Sequence, residues 1–211
     1  KYNFCIIKNV ISEKEIVLSK NKIFNYIAKN KFINSRLLPE KLSFQFKDWL
    51  KIKDKQKHKK YVVEGFVPMK NNPFALKKIF TECIKIRNFL YGLNFRKNIK
   101  LSYTHLSRNF FTASRLMCYP NPKGYLQNHK DLLGSERTKK FKKYFQIICP
   151  LTKKGLDFDS GGAVVFAGTK KIMVEDYMDH GDMLVYNEKI LHGVEKIFSL
   201  NKKKEAKFRH W

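Results

Sequence analysis

Gly181-Asp182-Met183-Leu184-Val185-Tyr186, followed by Leu191-His192-Gly193-Val194, reads as a turn into a short apolar strand with a histidine arriving soon after it. Upstream stands His129-Lys130-Asp131. On an extended segment, alternation sends His129 and Asp131 to one side and Lys130 to the other, so the first and third residues can share one ion. His192 lies far enough downstream for several strands to intervene, and it brings a second imidazole from a different strand. Two imidazole nitrogens and one carboxylate oxygen on a single face of an iron(II) ion leave its other positions open. That is the donor set of the 2-His-1-carboxylate facial triad.

The same grammar runs through the second half of the chain. Short apolar or alternating runs at 114–119, 144–151, 163–167, 183–186 and 207–211 are punctuated by Pro120, Pro122, Gly155, Gly161-Gly162, Gly168 and Gly181. Many short strands with frequent turns predict a sandwich or barrel. The first half differs. Phe4-Cys5-Ile6-Ile7-Lys8-Asn9-Val10 suits a strand, and Ser12 with Glu15 has the spacing of a capping box ahead of a helix faced by Ile16, Ile23, Phe24 and Ile27. Asn72 as N-cap and Pro73 at the first helical position open a second helix, carried by Leu76, Ile79, Phe80, Cys83, Ile86 and Leu90 and closed by Gly92. Neither an internal repeat nor a low-complexity linker divides the chain, so a single domain over 1–211 is expected, mainly β with flanking helices. In it, 1–100 supply a strand and supporting helices, and 101–211 supply most of the core.

Hydrophobic residues make up 43% of the 211, with 18 Phe and 10 Tyr, which supplies a packed core and excludes wholesale disorder. The formal charge of +26 admits a surface for phosphates, nucleic acid or an anionic membrane. Against that, the lysines are spread along the chain, and the wealth of Lys, Asn, Ile and Phe matches AT-rich codons, so nucleic acid is disfavoured as a partner. The densest basic run, 51–60, reads as a solvated loop, with lining of the approach to a negatively charged substrate as the alternative. Cys5, Cys83, Cys118 and Cys149 lie far apart in apolar contexts and form no C-x-x-C pair, so buried free thiols in a reducing compartment are expected. No apolar run has the length of a membrane span, and Lys1-Tyr2-Asn3 does not open a signal peptide, so a cytoplasmic location without membrane association is expected.

A competing H-x-D, His180-Gly181-Asp182, is set aside because it contains the turn and lies too close to His192 for strands to intervene. His58, His105 and His210 have no carboxylate at ligand spacing. Gln146 interrupts an apolar strand, and an inward polar side chain there needs a partner. Gly161-Gly162 suits a bulge or a close backbone approach.

In order and rough spacing, Tyr119-Pro-Asn-Pro-Lys-Gly-Tyr125, His129-Lys130-Asp131, Gln146-Ile-Ile-Cys-Pro-Leu151, Asp159-Ser160-Gly161-Gly162, Gly181 to Tyr186 and His192-Gly193-Val194 resemble the iron(II)/2-oxoglutarate-dependent dioxygenase superfamily. The resemblance covers 119–211, about half of the chain. It implies a double-stranded β-helix, or jelly roll, with the N-terminal helices packed on one sheet and with His129, Asp131 and His192 as both metal ligands and catalytic residues. Fe(II), 2-oxoglutarate and molecular oxygen are the implied cofactor and co-substrates. It also implies a cation on a strand after the distal histidine to grip the far carboxylate of 2-oxoglutarate. Arg209 fits that role, with Lys202 and Lys203 as the alternatives used by prolyl-hydroxylase-like members. Tyr119, Tyr103 and Tyr186 are candidates to bond that carboxylate or flank the metal, and Gln146 and Arg115 to contact co-substrate or substrate; aromatic core packing accounts for each tyrosine equally well.

The implied activity is hydroxylation of an unactivated C–H bond, with 2-oxoglutarate converted to succinate and carbon dioxide. Family halogenases replace the carboxylate with a small residue, so Asp131 favours hydroxylation, or a desaturation or demethylation variant of it, over halogenation. A small polar or anionic metabolite is the expected substrate, since the helical first half leaves compact loops to cover the mouth. AlkB-like nucleic-acid demethylation and protein hydroxylation are the rival activities. The former suits the charge, but that group carries a second arginine just beyond the first, where this chain ends at Trp211. From another class, the chain suits a non-catalytic basic jelly-roll binding module.

Overall fold

The computed structural model describes residues 3–30, 45–48, 60–61, 63–66, 73–94, 104–106, 111–113, 115–119, 124–131 and 145–199. In chain order the elements are β1 (Phe4–Ile7), α1 (Glu13–Asn30), β2 (Gln45–Asp48), β3 (Lys60–Tyr61), β4 (Val63–Phe66), α2 (Lys77–Leu90), β5 (Thr104–Leu106), β6 (Phe111–Ala113), β7 (Arg115–Cys118), β8 (Tyr125–His129), β9 (Phe145–Ile148), β10 (Ser160–Ala167), β11 (Lys170–Met173), a 3-10 turn at Val174–Asp176, β12 (Met183–Asn187) and β13 (His192–Phe198). The described chain is mainly β with two helices. A five-stranded sheet of order β11-β10-β13-β8-β3 and a three-stranded sheet of order β1-β12-β9 are antiparallel throughout. The sets β2-β4-β7 and β5-β6 complete the strands.

Alternation along β12 explains how these parts stack. Leu184 and Tyr186 join Val165, Val174, Met178 and Ile190 in one buried cluster, flanked by Phe4, Ile6, Ala163 and Ile172. Met183 points the other way, into a cluster with Ile11, Ile16 and Ile23 from around α1, Ile79, Phe80 and Ile84 of α2, and Leu116 of β7. The small sheet therefore has the large sheet on one face and both helices on the other. Each such fully buried aliphatic side chain stabilises the fold by roughly 1.5–3 kcal/mol relative to exposure.

Local signals set the helix ends. The Ser12 N–H donates to Glu15 Oε2 at 3.3 Å and the Glu15 N–H to Ser12 Oγ at 3.4 Å, the reciprocal pair of a capping box. Gly92, at φ 70°, closes α2, with its N–H on Phe89 O at 2.9 Å. The start of α2 differs from expectation: it begins at Lys77, not at Pro73. Ala75 adopts a left-handed φ of 57° and interrupts the first turn, while Phe74 and Leu76 are buried to 2% and 3% exposure. Burying both side chains outweighs the ~1–2 kcal/mol of one left-handed alanine. The proposed cap, Asn72, lies outside the described residues.

The four cysteines are free, but Cys5 is exposed, contrary to expectation. Phe4 and Ile6 take the inward positions of β1, so alternation turns Cys5 out. Burial pushes the Cys118 and Cys149 thiols up to about 12, which keeps them protonated and unreactive.

Gly161 and Gly162 stand at a register shift between β10 and β13. A Cβ on Gly161 would lie 2.0 Å from the Lys196 carbonyl oxygen, and one on Gly162 would lie 2.6 Å from the Glu175 carboxyl carbon. Glu175 Oε1 accepts the Ala163 N–H at 2.6 Å, while Oε2 is buried without a partner among the described residues. Burial pushes this carboxyl up to about 7, against the opposing pull of the Ala163 N–H and Lys154. The folded state thus holds a proton that the unfolded chain releases near its ordinary value of 4.5, and stability falls as pH rises from about 4.5 to about 7. Glu175→Gln is expected to stabilise the protein by about 1–3 kcal/mol at pH 8 and hardly at all at pH 4.5. Urea melts at the two pH values check this; equal effects at both would contradict it.

Candidate metal centre

His129 is the last residue of β8 and His192 the first of β13, and they are direct partners in the antiparallel register. Both imidazoles therefore leave the same face, with ring centroids 4.4 Å apart. A bulge sets which face that is. His192 pairs with His129 but Val194 pairs with Leu126, so Gln127 and Asn128 together span Gly193. Without the extra residue, alternation would place Gln127 on the face of His129; with it, Leu126 is buried and Gln127 and Asn128 are exposed. Gly193 permits the close approach, since a Cβ there would lie 2.7 Å from the Leu126 carbonyl oxygen.

Both rings are oriented by the backbone two residues before them. His129 Nδ1 lies 2.9 Å from Gln127 O, and His192 Nδ1 lies 3.2 Å from Ile190 O. A carbonyl oxygen only accepts, so in the neutral rings Nδ1 carries the proton and Nε2 keeps its lone pair. The two Nε2 atoms lie 3.7 Å and 3.8 Å from the same oxygen, Asp131 Oδ1. Burial, with His129 nearby, pulls the His192 ring below its ordinary value despite the opposing charge of Asp131, which favours the neutral form that ligates metal. The ligand atoms of His129, Asp131 and His192 all lie within 4.8 Å of one another, the one such cluster among the described residues. Two aimed lone pairs and an anionic oxygen form a donor set that fits a divalent cation.

The small sheet supplies the opposite wall. Tyr186 and Gln146 are register partners on β12 and β9. The Tyr186 ring lies 4.5 Å from that of His192, and Gln146 Nε2 donates to Asp131 Oδ2 at 3.1 Å.

The fold is similar to that of a prolyl hydroxylase. That protein, from Trichoplax adhaerens, was solved in complex with a hypoxia inducible factor oxygen degradation domain peptide fragment. It superposes with a TM-score of 0.60 at 13% sequence identity, over 98% of this chain and 87% of that chain. No family model matches the sequence, and no curated protein matches it.

The structure brings the expected trio His129, Asp131 and His192 together and places two further candidates beside them, Tyr186 against the His192 ring and Gln146 on Asp131. One detail differs: β8 ends at His129, so Asp131 is not carried on the strand but lies just past its end. Tyr119 follows β7, with its hydroxyl 4.0 Å from Met117 Sδ. Arg209, Lys202, Lys203, Tyr103, His58 and His210 lie outside the described residues, and Arg115 and His105 are described only as strand backbone in β7 and β5. The discarded pair does structural work: His180 is buried near Glu13 (3.4 Å) and Asp157 (3.9 Å), and Asp182 clamps a turn. The carbonyls of Gln127 and Ile190 escaped sequence reading because a backbone oxygen carries no residue signature. No helix among the described residues is long and apolar enough to cross a membrane.

Proposed function

We propose that this protein is an iron(II)- and 2-oxoglutarate-dependent oxygenase, a single jelly-roll domain over 1–211, that hydroxylates a C–H bond of a small polar or anionic metabolite. The observation that carries the reading is the convergence of both histidine Nε2 atoms on one oxygen of Asp131. The fold likeness to a prolyl hydroxylase supports it independently of those three residues. Iron(II) held there would couple the oxidative decarboxylation of 2-oxoglutarate to hydroxylation by molecular oxygen, releasing succinate and carbon dioxide.

The chain's own residues have separable tasks in that reaction. His129 and His192 present neutral nitrogens from adjacent strands, and Asp131 offsets part of the metal charge. Tyr186 backs His192 and shields it from water on the side of the small sheet. Arg209 grips the far carboxylate of 2-oxoglutarate, with Lys202 and Lys203 as the competing anchors, and Tyr119 hydrogen-bonds the same group. Peptide hydroxylation is the second reading, favoured by the peptide bound to the Trichoplax protein.

Conversion of 2-oxoglutarate to succinate, measured by NMR on protein supplied with Fe(II), ascorbate and oxygen, tests the proposal. The wild type is expected to produce succinate and His129→Ala to produce none. A wild type that binds neither Fe(II) nor 2-oxoglutarate sinks the oxygenase reading. Mass spectrometry for a gain of one oxygen, across a panel of polar metabolites and proline-containing peptides, separates the two substrate classes.

A further inference from the structure

We infer that Gln146 is a positioning residue for the Asp131 carboxylate, holding one oxygen so that the other stays directed at the two histidines; this rests on the proposed metal-binding role of the triad. The two oxygens are already divided. Oδ1 faces His129 Nε2 and His192 Nε2, whereas Oδ2 accepts from Gln146 Nε2 at 3.1 Å. A carboxylate oxygen only accepts, so the amide must turn its nitrogen toward Asp131, and the orientation of the bond is unambiguous.

Asp131 needs such a hold. It lies beyond the last strand residue of β8, so the ladder that aligns His129 and His192 does not reach it. The terminal torsion of an aspartate is broad, and a carboxylate without a second partner turns freely about it. Gln146 supplies that partner from β9 of the small sheet, so the bond ties one sheet to the other across the site. Its register partner Tyr186 lies against His192, so one cross-strand pair touches two of the three ligands, Asp131 and His192.

The bond also bears on the chemistry. An amide held on Oδ2 takes up one of its lone pairs and would favour donation to a metal through Oδ1. Bidentate attachment would consume a further coordination position that a co-substrate and oxygen require. Glutamate at 146 would set an anion against an anion, and methionine would keep the volume but offer no donor.

Cobalt(II), titrated anaerobically, is the probe, with affinity from calorimetry, site geometry from the visible ligand-field bands and folding from thermal melts of the metal-free proteins. Gln146→Glu and Gln146→Met are expected to weaken cobalt binding about 10–100-fold and to alter the bands. Their metal-free melting temperatures are expected to stay within a few degrees of wild type. Wild-type affinity and bands in both variants would overturn the inference, as would weakening that only follows a lost folded fraction. If the wild type fails to bind cobalt, or His129→Ala binds it equally well, the metal-site reading itself falls; tight wild-type binding with indifferent variants removes Gln146 alone.

Discussion

Alanine at position 131 is expected to abolish iron binding at micromolar metal and, with it, all conversion of 2-oxoglutarate. The size follows from the number of ligands. Structural zinc sites with four ligands bind with about 10–16 kcal/mol, so each ligand is worth roughly 3 kcal/mol, or about 10²–10³ in affinity. Asp131 is the only anion of its trio, and its loss leaves two neutral nitrogens to hold a doubly charged ion. The carboxylate is a fifth exposed and outside the strand ladder, so the metal-free fold should tolerate the change. Iron affinity measured by competition with a chromogenic chelator, beside a thermal melt of the metal-free protein, gives both numbers. Undiminished affinity in Asp131→Ala would show that the cluster is not the metal site.

Asp182→Ala is expected to cost about 3 kcal/mol of stability without touching the metal site. The Asp182 side chain has no exposure, and it accepts from the Asn9 N–H at 2.9 Å, the Asp179 N–H at 2.7 Å and the Lys8 ammonium. Alanine would strand two backbone donors, each carboxylate bond being worth about 1.5–3 kcal/mol, while half-exposed Lys8 returns to water. The carboxylate works beside a backbone clamp, in which the N–H groups of Val10 and Ile11 donate to Gly181 O at 2.9 and 3.0 Å. Together they fasten the link between β1 and α1 to the turn that enters β12. Burial alone would raise the Asp182 carboxyl, but the three donors hold it below its ordinary value. Its contribution is therefore present at neutral pH and is lost as pH falls through that lowered value. Urea unfolding at pH 7 measures the effect, and a loss under about 1 kcal/mol would mean that the N–H groups find other partners.

Much of the site was readable residue by residue. The H-x-D and the distal histidine were visible because ligand chemistry is carried by side-chain type, and Gln146 stood out as a polar break in an apolar strand. Gly161-Gly162 announced a bulge for a similar reason, since only glycine tolerates a Cβ position 2.0 Å from a carbonyl oxygen. Other elements were hidden. Lys170-Lys171-Ile172-Met173 has too little apolar alternation to read as a strand, and it becomes β11 by pairing with β10 across the turn at Gly168. The late start of α2 was equally illegible, because the left-handed Ala75 is favourable only once Phe74 and Leu76 have a core to enter.

The chemical inventory is written in residue types: two histidines and an aspartate of ligand type, a capped first helix, and strand-sized apolar runs bounded by glycine and proline. Those properties belong to single residues or to neighbours along the chain. That His129 and His192 are cross-strand partners, that a bulge in β8 opposite Gly193 turns His129 to the buried face, and that the amide of Gln146 meets Asp131 follow only from how the strands pair and the sheets face each other. Register, bulges and contacts between facing sheets arise from free energies shared between segments far apart in sequence, and a shift of one residue would reverse every side chain along the strand.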